Sequence, residues 1–416
     1  MPDALTGLWR RHVEAPLPRL WLGPFHGRML RLARPVERLL LRGDPAAPEL
    51  WQMRDGRRQR RDLPPMAFVE ERARALGLKA AGFLSYEAAA LFQSLPPPPG
   101  PVAGWPLMEF LLCAEEESLP LQSRTSACWR GQAATLPATE LEALAPPEEF
   151  RRGVRRVRQL IRRGDCYQVN LVQAFGASLS PCHASALFAA LRAQDGRPFG
   201  YRALLEWRDR ALVSDSPELF LARRGHRLWT QPIKGTVAVA GPGHLESARQ
   251  QLLGSAKDRA ELSMIVDLMR NDLSRVCRPG TVEVGPFPQW LEAPGLLHSY
   301  ATVQGRLRGG AGLQDAFAAA FPCGSVTGCP RQRAMERIAT LERQARGPAF
   351  GAVGWVDPQG DFAFSVAIRT ARLDAGGLHL LAGGGLTWDS RPADEERESR
   401  LKTLSFKRAL GARLST

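Results

Sequence analysis

Short strand-like segments joined by turns dominate the chain after residue 148 and restrict the folds open to it. Runs of strand-forming residues bounded by glycine, proline and polar turn residues predict strands at 166–175, 202–207, 211–214, 281–284, 299–307, 350–356, 362–373 and 377–382. The tripeptide Arg208-Asp209-Arg210 joins two of these strands, which predicts that they pair. A chain of this kind builds its core from sheets, with helices packed against them.

Helical segments lie between the strands. The clearest is an arginine-rich stretch ending near Arg163, whose apolar stripe consists of Phe150, Val154, Val157, Leu160 and Ile161. Residues 243–277 predict two helices, with Ser255 as the cap of the second. Further helices are predicted at 67–77, 86–93, 183–193, 331–344 and 393–411. Because residues 1–145 are irregular and proline-rich, we expect an N-terminal region, 1–145, followed by a more regular region, 148–410.

The charge balance is strongly basic, with a formal net charge of +14 over 416 residues. Clustered arginines at 54–61 and 151–163 suggest nucleic acid as a partner, but no helix-turn-helix, finger or aromatic signature accompanies them. We therefore favour an anionic small-molecule substrate over nucleic acid. Seven cysteines without a Cys-x-x-Cys pair, and no apolar run long enough for a signal peptide or membrane span, predict a cytoplasmic protein without membrane association.

Lysine is rare in this chain, and one lysine stands out. Only five of the 56 basic residues are lysines, and Lys234 lies in the segment Gln231-Pro232-Ile233-Lys234-Gly235-Thr236. Lysine, unlike arginine, loses its proton when desolvated and then acts as a nucleophile. A surface lysine before a turn is the alternative interpretation of this segment. The bias towards arginine makes Lys234 a candidate catalytic residue.

Three glutamates are candidates for a metal site. Glu261 lies early in a predicted helix, while Glu395 and Glu398, three residues apart, share one face of the last helix. If these helices converge, their carboxylates would suit Mg2+, which prefers oxygen ligands and keeps positions open for a substrate carboxylate. Ordinary surface carboxylates would give the same spacing.

Glycine-rich segments and isolated polar residues supply candidates for substrate binding. The loop Gly324-Ser325-Val326-Thr327-Gly328 precedes a predicted helix, so its N–H groups would suit a carboxylate, although a simple turn is the alternative. Arg369 is a charge in an otherwise apolar predicted strand, and a buried arginine requires an anion. Gly383-Gly384-Gly385 would let a ligand approach the backbone, or merely turn the chain. His298 is a weaker candidate.

Seven motifs in a fixed order resemble the chorismate-utilising enzymes. They are Gln168-Val169-Asn170-Leu171, Ser216-Pro217-Glu218, Pro232 to Thr236, Ile265 to Leu273, Gly324 to Gly328, Ile368-Arg369-Thr370 and Ala382 to Gly385. The family includes anthranilate synthase component I, aminodeoxychorismate synthase component I, and the isochorismate and salicylate synthases. The resemblance covers about residues 148–410, the expected chorismate-binding catalytic region. It implies an α+β or α/β fold of two facing, largely antiparallel sheets with helices outside and the active site between them.

Two positions distinguish branches of this family. Members that add water to chorismate carry a lysine base where this chain has Gln168, so the resemblance implies that ammonia is the nucleophile. Anthranilate synthases typically carry alanine where this chain has Lys234, whereas aminodeoxychorismate synthases carry lysine. The segment therefore resembles aminodeoxychorismate synthase component I, with anthranilate synthase component I as the alternative.

The resemblance also implies roles for the candidate residues. Glu261 and Glu398 would bind Mg2+, with Glu395 beside them. Glu218 would protonate the departing C4 hydroxyl of chorismate, Lys234 would attack C2, and His298 matches an active-site histidine. The remaining candidates would hold the substrate: Gln168, Ser325, Thr327, Gly328, Arg369, Gly384 and Gly385. A separate glutaminase subunit, component II, would supply the ammonia.

Some residues depart from the family pattern. The chain has Cys329 and Arg331 where alanine and lysine are usual, and Trp355 where tyrosine is usual. The Leu-Leu-Glu-Ser motif of tryptophan-inhibited anthranilate synthases is not found near the N-terminus, which we interpret as absence of feedback control. A noncatalytic basic binding protein on the same fold is the alternative from another class; retention of Lys234, Glu218, Glu261 and Glu398 argues against it.

Overall fold

The computed structural model describes residues 19–25, 28–93, 100, 102–120, 136–194, 200–239, 241–293 and 296–411. Nearly all of its strands belong to one large antiparallel sheet with two arms. The first arm, in spatial order, consists of β3 (Ala47–Arg54), β2 (Arg28–Asp44), β6 (Met108–Pro120), β5 (Lys79–Leu84), β19 (Ala352–Val356), β20 (Phe362–Val366), β11 (Leu219–Arg224), β12 (Arg227–Gln231) and β17 (Val303–Arg306), with β4 (Arg57–Arg61) and β14 (Glu283–Val284) at its two ends.

The second arm starts from the same long strand, β2. It continues through β1 (Arg19–Phe25), β9 (Tyr201–Glu206), β10 (Ala211–Ser216), β21 (Thr370–Asp374), β22 (Gly377–Leu386) and β8 (Gln168–Ala177), with β7 (Glu142–Ala143) and β18 (Gly328–Cys329) on the far side of β8. Strand β2 bends at Arg34, which has a φ of 53°, and its register against β6 shifts after Pro35. The bend lets one strand serve both arms.

The two arms face each other across a shared apolar core. Phe83 and Val353 of the first arm pack in one buried cluster with Leu205 and Leu212 of the second. Because successive side chains of a strand point to opposite faces, each arm has a second face that helices cover. The predicted pair of facing antiparallel sheets with helices outside is therefore confirmed.

Nine helices are present in the described residues. They are α1 (Pro65–Leu76), α2 (Pro147–Arg162), α3 (Ala184–Ala193), α4 (Leu245–Gly254), α5 (Ala256–Ser274), α6 (Leu313–Ala320), α7 (Arg331–Leu341), α8 (Pro392–Leu401) and α9 (Leu404–Ala409). Helices α1, α5 and α6 cover the first arm, α3 and α9 cover the second, and α2 and α7 pack near β8. No helix in this part of the chain is long and apolar enough to cross a membrane.

A small separate sheet holds the segment around Lys234. Its strand order is β13 (Ile233–Ala238), β16 (Leu296–Tyr300) and β15 (Gln289–Ala293). Lys234 pairs with Ser299, and Thr236 pairs with His298. The predicted Ser255 cap of α5 is confirmed, because its hydroxyl accepts the N–H of Asp258 at 3.2 Å. That cap fixes the start of the helix that carries Glu261.

Several predicted elements were wrong in extent. The N-terminal region is strand-rich rather than irregular, with β1 to β6 in the main sheet, and residues 86–93 form a short 3-10 turn, Tyr86–Leu91, rather than an α-helix. The predicted strand 299–307 is divided between β16 and β17, because the N–H of Ala301 bonds Pro232 instead. The last predicted helix, 393–411, is two helices, α8 and α9. The paired strands β1 and β9, and β5 and β19, cross the expected region boundary near residue 145.

Candidate active site

Lys234 lies at the start of β13, beside a shift in strand register. Gly235 has a φ of 80°, in the left-handed region that favours glycine, and the pairing with β16 shifts between Lys234 and Thr236. The carbonyl oxygen of Lys234 accepts a hydrogen bond from the Ser299 hydroxyl. The Gly-Thr sequence after the lysine therefore makes a local irregularity that is held from the neighbouring strand.

Gln168 and Lys234 meet above Gly385. A β-carbon placed on Gly385 would lie 1.9 Å from Nε2 of Gln168 and 3.3 Å from Nζ of Lys234, so a larger residue here would displace the Gln168 amide. Gln168 is fully buried, and neither polar atom of its amide has a hydrogen-bond partner in the structure. A buried amide without partners is costly, so the Gln168 amide is available to bond a ligand or a water molecule that enters the site.

Glu218 occupies the turn between β10 and β11. Its N–H bonds the Ser216 hydroxyl at 3.2 Å, and its carbonyl accepts the N–H of Val366 at 3.1 Å, which fixes the backbone. The side chain is only 3% exposed, and its Oε1 has no hydrogen-bond partner. Burial raises the pKa of Glu218 to about 7, against the opposing effects of the Ser325 hydroxyl and the Lys234 charge. Near neutral pH this carboxyl group is able to donate a proton.

Two side chains of the loop 324–328 have different partners: that of Ser325 lies at Glu218, whereas that of Thr327 bonds the adjoining backbone. The Ser325 hydroxyl bonds Glu218 and lies 3.3 Å from Sγ of Cys323. The Thr327 hydroxyl instead donates to the Cys323 carbonyl at 3.1 Å and stabilises the turn. Gly328 is in β18, opposite Val169, and a β-carbon there would lie 2.1 Å from the Gln168 carbonyl. The glycines thus allow close contact between this loop and β8.

The three predicted metal ligands lie near one another. Glu261 is in α5, and Glu395 and Glu398 are both in α8. A β-carbon on Gly384 would lie 3.7 Å from Oε2 of Glu395 and 3.7 Å from Oε1 of Glu398. Nζ of Lys257 lies 3.8 Å from Oε1 of Glu261 and 3.5 Å from Oε1 of Glu395, which links the two helices.

The lysines in this cluster act as counter-ions. Burial lowers the pKa of Lys257, but Glu395 and Glu261 outweigh burial and the pKa is raised. Lys402 bonds Oε1 of Glu398 at 2.8 Å and lowers the pKa of that glutamate. Burial raises the pKa of Glu261, and the nearby charge of Asp258 adds to the effect. The protein thus neutralises the carboxylates with its own ammonium groups.

The donor set suits a hard cation, although it is not arranged as a metal cage. Within the described ranges, no three His, Cys, Asp or Glu side chains are close enough together to hold a metal ion. The residues nevertheless fit Mg2+ in their chemistry, because carboxylate oxygens of Glu395 and Glu398 in α8 lie beside the backbone of Gly384, and Lys257 links Glu395 to Glu261 of α5. An added cation would have to compete with the ammonium groups of Lys257 and Lys402 for these carboxylates.

His298 and Arg369 lie at the side of this region. His298 is 1% exposed, its Nδ1 is 2.8 Å from the Thr236 hydroxyl, and burial lowers its pKa to about 3, so it is uncharged at neutral pH. Arg369 is not in a strand as predicted; it separates β20 from β21 with a φ of 47°. Burial lowers the pKa of Arg369, whereas Asp215 supports its charge.

The predicted site residues come together, with some unpredicted neighbours. Lys234 was singled out because lysine is rare in this chain. Lys257 and Lys402 are in the same site, so three of the chain's five lysines lie here. Their rarity was the signal that would have identified them. The departure Arg331 is also explained: it is buried and pairs with Asp272 of α5, where a lysine would supply the same charge. Trp355 packs against the ammonium of Lys79, 4.9 Å from the ring centre.

The fold is a double sheet with helices outside. Near one end of β8 it brings together Lys234, the buried carboxyl group of Glu218 and the Gln168 amide beside Gly385. This combination is typical of one class of enzyme. The chain belongs to the chorismate binding enzyme family, whose model matches residues 34–408.

Relatives with two different names are similar to the chain. An anthranilate synthase component 1 of Haloarcula marismortui is 41% identical over 253 residues, which is 61% of this chain and 51% of that protein. The aminodeoxychorismate synthase component 1 of Bacillus subtilis is 37% identical over 262 residues, 63% of this chain and 55% of that protein. The chain thus aligns with about half the length of these relatives. The crystal structure of anthranilate synthase component I from Streptococcus pneumoniae has a TM-score of 0.78, 26% identity, and coverage of 91% and 92% of the two chains.

Proposed function

We propose that this chain is an aminodeoxychorismate synthase component I, which converts chorismate and ammonia to 4-amino-4-deoxychorismate for p-aminobenzoate and folate synthesis. The observation that supports it most is the position of Lys234. Its Nζ lies beside the Gln168 amide and above Gly385, and its charge acts on Glu218. Once it has lost its proton, an amine in this position is placed to be a nucleophile towards a substrate held beside Gln168 and Glu218.

In the first step, the Lys234 amine attacks C2 of chorismate while the C4 hydroxyl leaves. Hydroxide is a poor leaving group, so a proton must reach the oxygen as the bond breaks. Glu218, with a pKa of about 7, supplies that proton, and water departs. Nζ gives up a proton as it bonds C2, and that proton restores the acid form of Glu218. The product is a covalent adduct between Nζ and C2 of the ring, with both ring double bonds shifted. Chorismate thereby loses one water and gains one bond to the protein.

In the second step, ammonia attacks C4 and the Lys234 amine leaves C2. Both double bonds return to their original places, and the ammonia gives up a proton to Nζ, which restores the lysine. Overall, one hydroxyl of chorismate is exchanged for one amino group and one water is released. Gln168 is at the position where a basic side chain would instead activate water, and its neutral amide supports ammonia as the incoming nucleophile.

The carboxylate cluster would bind Mg2+ for this reaction. When bound, the ion would hold the ring carboxylate of chorismate and draw electron density away from the ring. Glu261 and Glu398 would hold it, with Glu395 beside them. Arg369 and the backbone N–H groups of Gly328, Gly384 and Gly385 would hold substrate carboxylates, and neutral His298 would donate or accept a hydrogen bond.

Ammonia would come from a separate glutaminase subunit, as the component 1 designation of the relatives suggests. Free ammonium at raised pH would then replace the partner in the test tube, because only neutral ammonia has the lone pair needed to attack. We expect synthesis from ammonium alone, and stimulation by glutamine only when a glutaminase subunit is added.

Anthranilate synthase component I is the second candidate. The 41% identity to a protein of that name supports it. The two candidates differ in where ammonia enters the ring, at C4 or at C2, and therefore in whether Lys234 or ammonia bonds C2. The lysine at position 234, where anthranilate synthases typically carry alanine, favours entry at C4.

The test is to identify the product. Purified protein is incubated with chorismate, Mg2+ and ammonium, with and without a glutaminase subunit, and the products are separated by chromatography and identified by mass. We expect 4-amino-4-deoxychorismate, which an added lyase converts to p-aminobenzoate. Anthranilate as the only product would contradict the assignment and support the second candidate.

A further inference from the structure

A second buried polar cluster lies behind the active site, centred on Arg346. This arginine follows α7 and is only 2% exposed. Its guanidinium makes a two-bond contact with Glu342, from Nε to Oε2 at 2.8 Å and from Nη2 to Oε1 at 2.7 Å. It also stacks on the ring of Tyr86, 4.5 Å from the ring centre, and on that of Phe350, at 4.9 Å. This is a fully enclosed charge with a fixed orientation.

Two further bonds of Arg346 go to backbone oxygens next to the active site. Nη1 donates to the carbonyl of Val326 at 2.8 Å, and Nη2 donates to the carbonyl of Asn170 at 3.0 Å. Val326 follows Ser325, which bonds Glu218, and Asn170 lies two residues after Gln168 in β8. One rigid planar group thus joins the loop that holds the acid to the strand that carries the amide.

The N-terminal region holds Arg346 in place. Oε1 of Glu87 accepts the backbone N–H of Arg346 at 2.7 Å, and Oε2 accepts that of Gly347 at 3.0 Å. Glu342 adds a bond from the N–H of Val172 in β8 to its Oε1, at 3.1 Å. The cluster therefore connects the N-terminal segment, α7, the 324–328 loop and β8.

We propose that Arg346 is a positioning residue, which sets the location of Ser325 relative to Glu218 and of the loop relative to Gln168. This rests on the proposed role of Glu218 as the acid. Arginine is required because its planar fork bonds a carboxylate and two carbonyls at the same time, whereas lysine presents a single point charge. A buried ion pair with a purely structural role does not require hydrogen bonds to two backbone carbonyls beside the active site, those of Val326 and Asn170.

A change at Arg346 should reach the chemistry through Glu218. The Ser325 hydroxyl favours the charged form of Glu218 and so lowers its pKa. When the loop moves away, that bond lengthens and the pKa of Glu218 rises. The acid then stays protonated to higher pH, so the alkaline limb of the rate profile shifts upward while the rate itself falls.

The experiment compares Arg346→Lys with a matched control, Arg343→Ala. Arg343 is three residues earlier, its side chain is 87% exposed, and its guanidinium lies 3.7 Å from the carboxylate of Glu149. Chorismate consumption is followed across pH, because it reports turnover whichever product forms. Amide hydrogen exchange of residues 168–171 and 324–328 is measured in the same proteins without substrate.

We expect kcat/KM of Arg346→Lys to fall by about tenfold, the size of one lost charged hydrogen bond. Its alkaline limb should move upward, and exchange should be faster in residues 324–328. Arg343→Ala should match the parent in all three measurements. If Arg346→Lys loses thermal stability but keeps the parent pH profile, exchange and rate per folded molecule, Arg346 is merely structural and the inference is wrong.

Glu342→Gln is the second variant, should Arg346→Lys fail to fold. It keeps the shape but removes the charge that orients the guanidinium, so the same shift and exchange are expected. A Glu342→Gln protein with parent profile and exchange would overturn the inference. If the parent itself consumes no chorismate, the proposed function fails, and the exchange comparison still decides whether Arg346 positions the loop.

Discussion

Two buried polar clusters flank β8, and they differ in whether their carboxylate, amide and guanidinium groups have hydrogen-bond partners. In the active-site cluster, Oε1 of Glu218 and both amide atoms of Gln168 lack partners. In the Arg346 cluster, the guanidinium and both glutamates, Glu342 and Glu87, have short bonds to charged groups or backbone atoms. Unsatisfied groups are kept for a ligand, whereas satisfied groups hold the scaffold. Buried polar groups near β8 therefore have two roles, ligand binding and support of the scaffold, and substitutions should distinguish them.

The largest effect is expected for Lys234→Ala. Removal of the nucleophile should lower formation of 4-amino-4-deoxychorismate on the order of a thousandfold or more, with little loss of stability, because alanine keeps the backbone carbonyl that accepts the Ser299 hydroxyl. The rate is measured by chromatography of the product. Lys407→Ala, on the α9 helix, is the matched lysine control and should keep the parent rate. An unchanged rate in Lys234→Ala would remove Lys234 from the mechanism.

Glu218→Gln comes next. An amide cannot give up a proton, so the rate should fall by about a hundredfold to ten-thousandfold, the usual range for general acid catalysis. In the parent, the protonated acid is lost as pH rises through about 7, so kcat/KM should decline above that pH. The glutamine variant should have no such limb. A parent profile that stays flat from pH 6 to 9 would be inconsistent with Glu218 as the acid.

Gln168→Met removes the buried amide that lacks hydrogen-bond partners, and we expect stability and activity to change in opposite directions. Methionine fills similar space without polar atoms, so the free energy of unfolding should rise by about 1 kcal/mol as the unpaired amide is removed. Activity should nevertheless fall by about tenfold, because the substrate loses a partner. Chemical denaturation and steady-state kinetics measure the two effects. Lower stability together with unchanged activity would show that Gln168 belongs to the scaffold.

The smallest effect concerns Lys257. Its ammonium neutralises Glu261 and Glu395 and so competes with an added cation. Because its side chain is 47% exposed, we expect Lys257→Met to tighten Mg2+ binding by only about two- to fivefold. Titration calorimetry without chorismate measures this directly. Weaker binding in the variant would mean that Lys257 supports the metal site rather than competing with it.

The sequence predicted the second half of the fold better than the first. Strands such as 202–207 and 211–214 are joined by short turns, so local chemistry determines them. The strands of residues 19–120 pair with partners far along the chain, as β1 does with β9, and local patterns do not reveal such partners. The interruption at Arg369 was missed for the same reason: a positive φ in an arginine is imposed by tertiary contacts, not by sequence.

The sequence motifs predicted individual residues of the candidate site. They did not predict which charged groups neutralise one another there. Lys234, Glu218 and Gln168 were identified, and the structure places them together. Lys257 and Lys402 were missed because a lysine beside a glutamate on a helix is usually a surface pair. The Arg346 cluster was missed because it forms from four distant segments, and no spacing in the sequence connects Glu87 to Arg346.

The proposed mechanism depends on one covalent bond, between Lys234 and C2 of the chorismate ring. The direct measurement is mass spectrometry of the protein incubated with chorismate and Mg2+ without ammonia, followed by peptide mapping. We predict a mass increase equal to chorismate less one water, located on the peptide that contains Lys234, absent in Lys234→Ala and present in Lys407→Ala. No adduct on the parent protein while it makes 4-amino-4-deoxychorismate at full rate once ammonia is added would contradict the account.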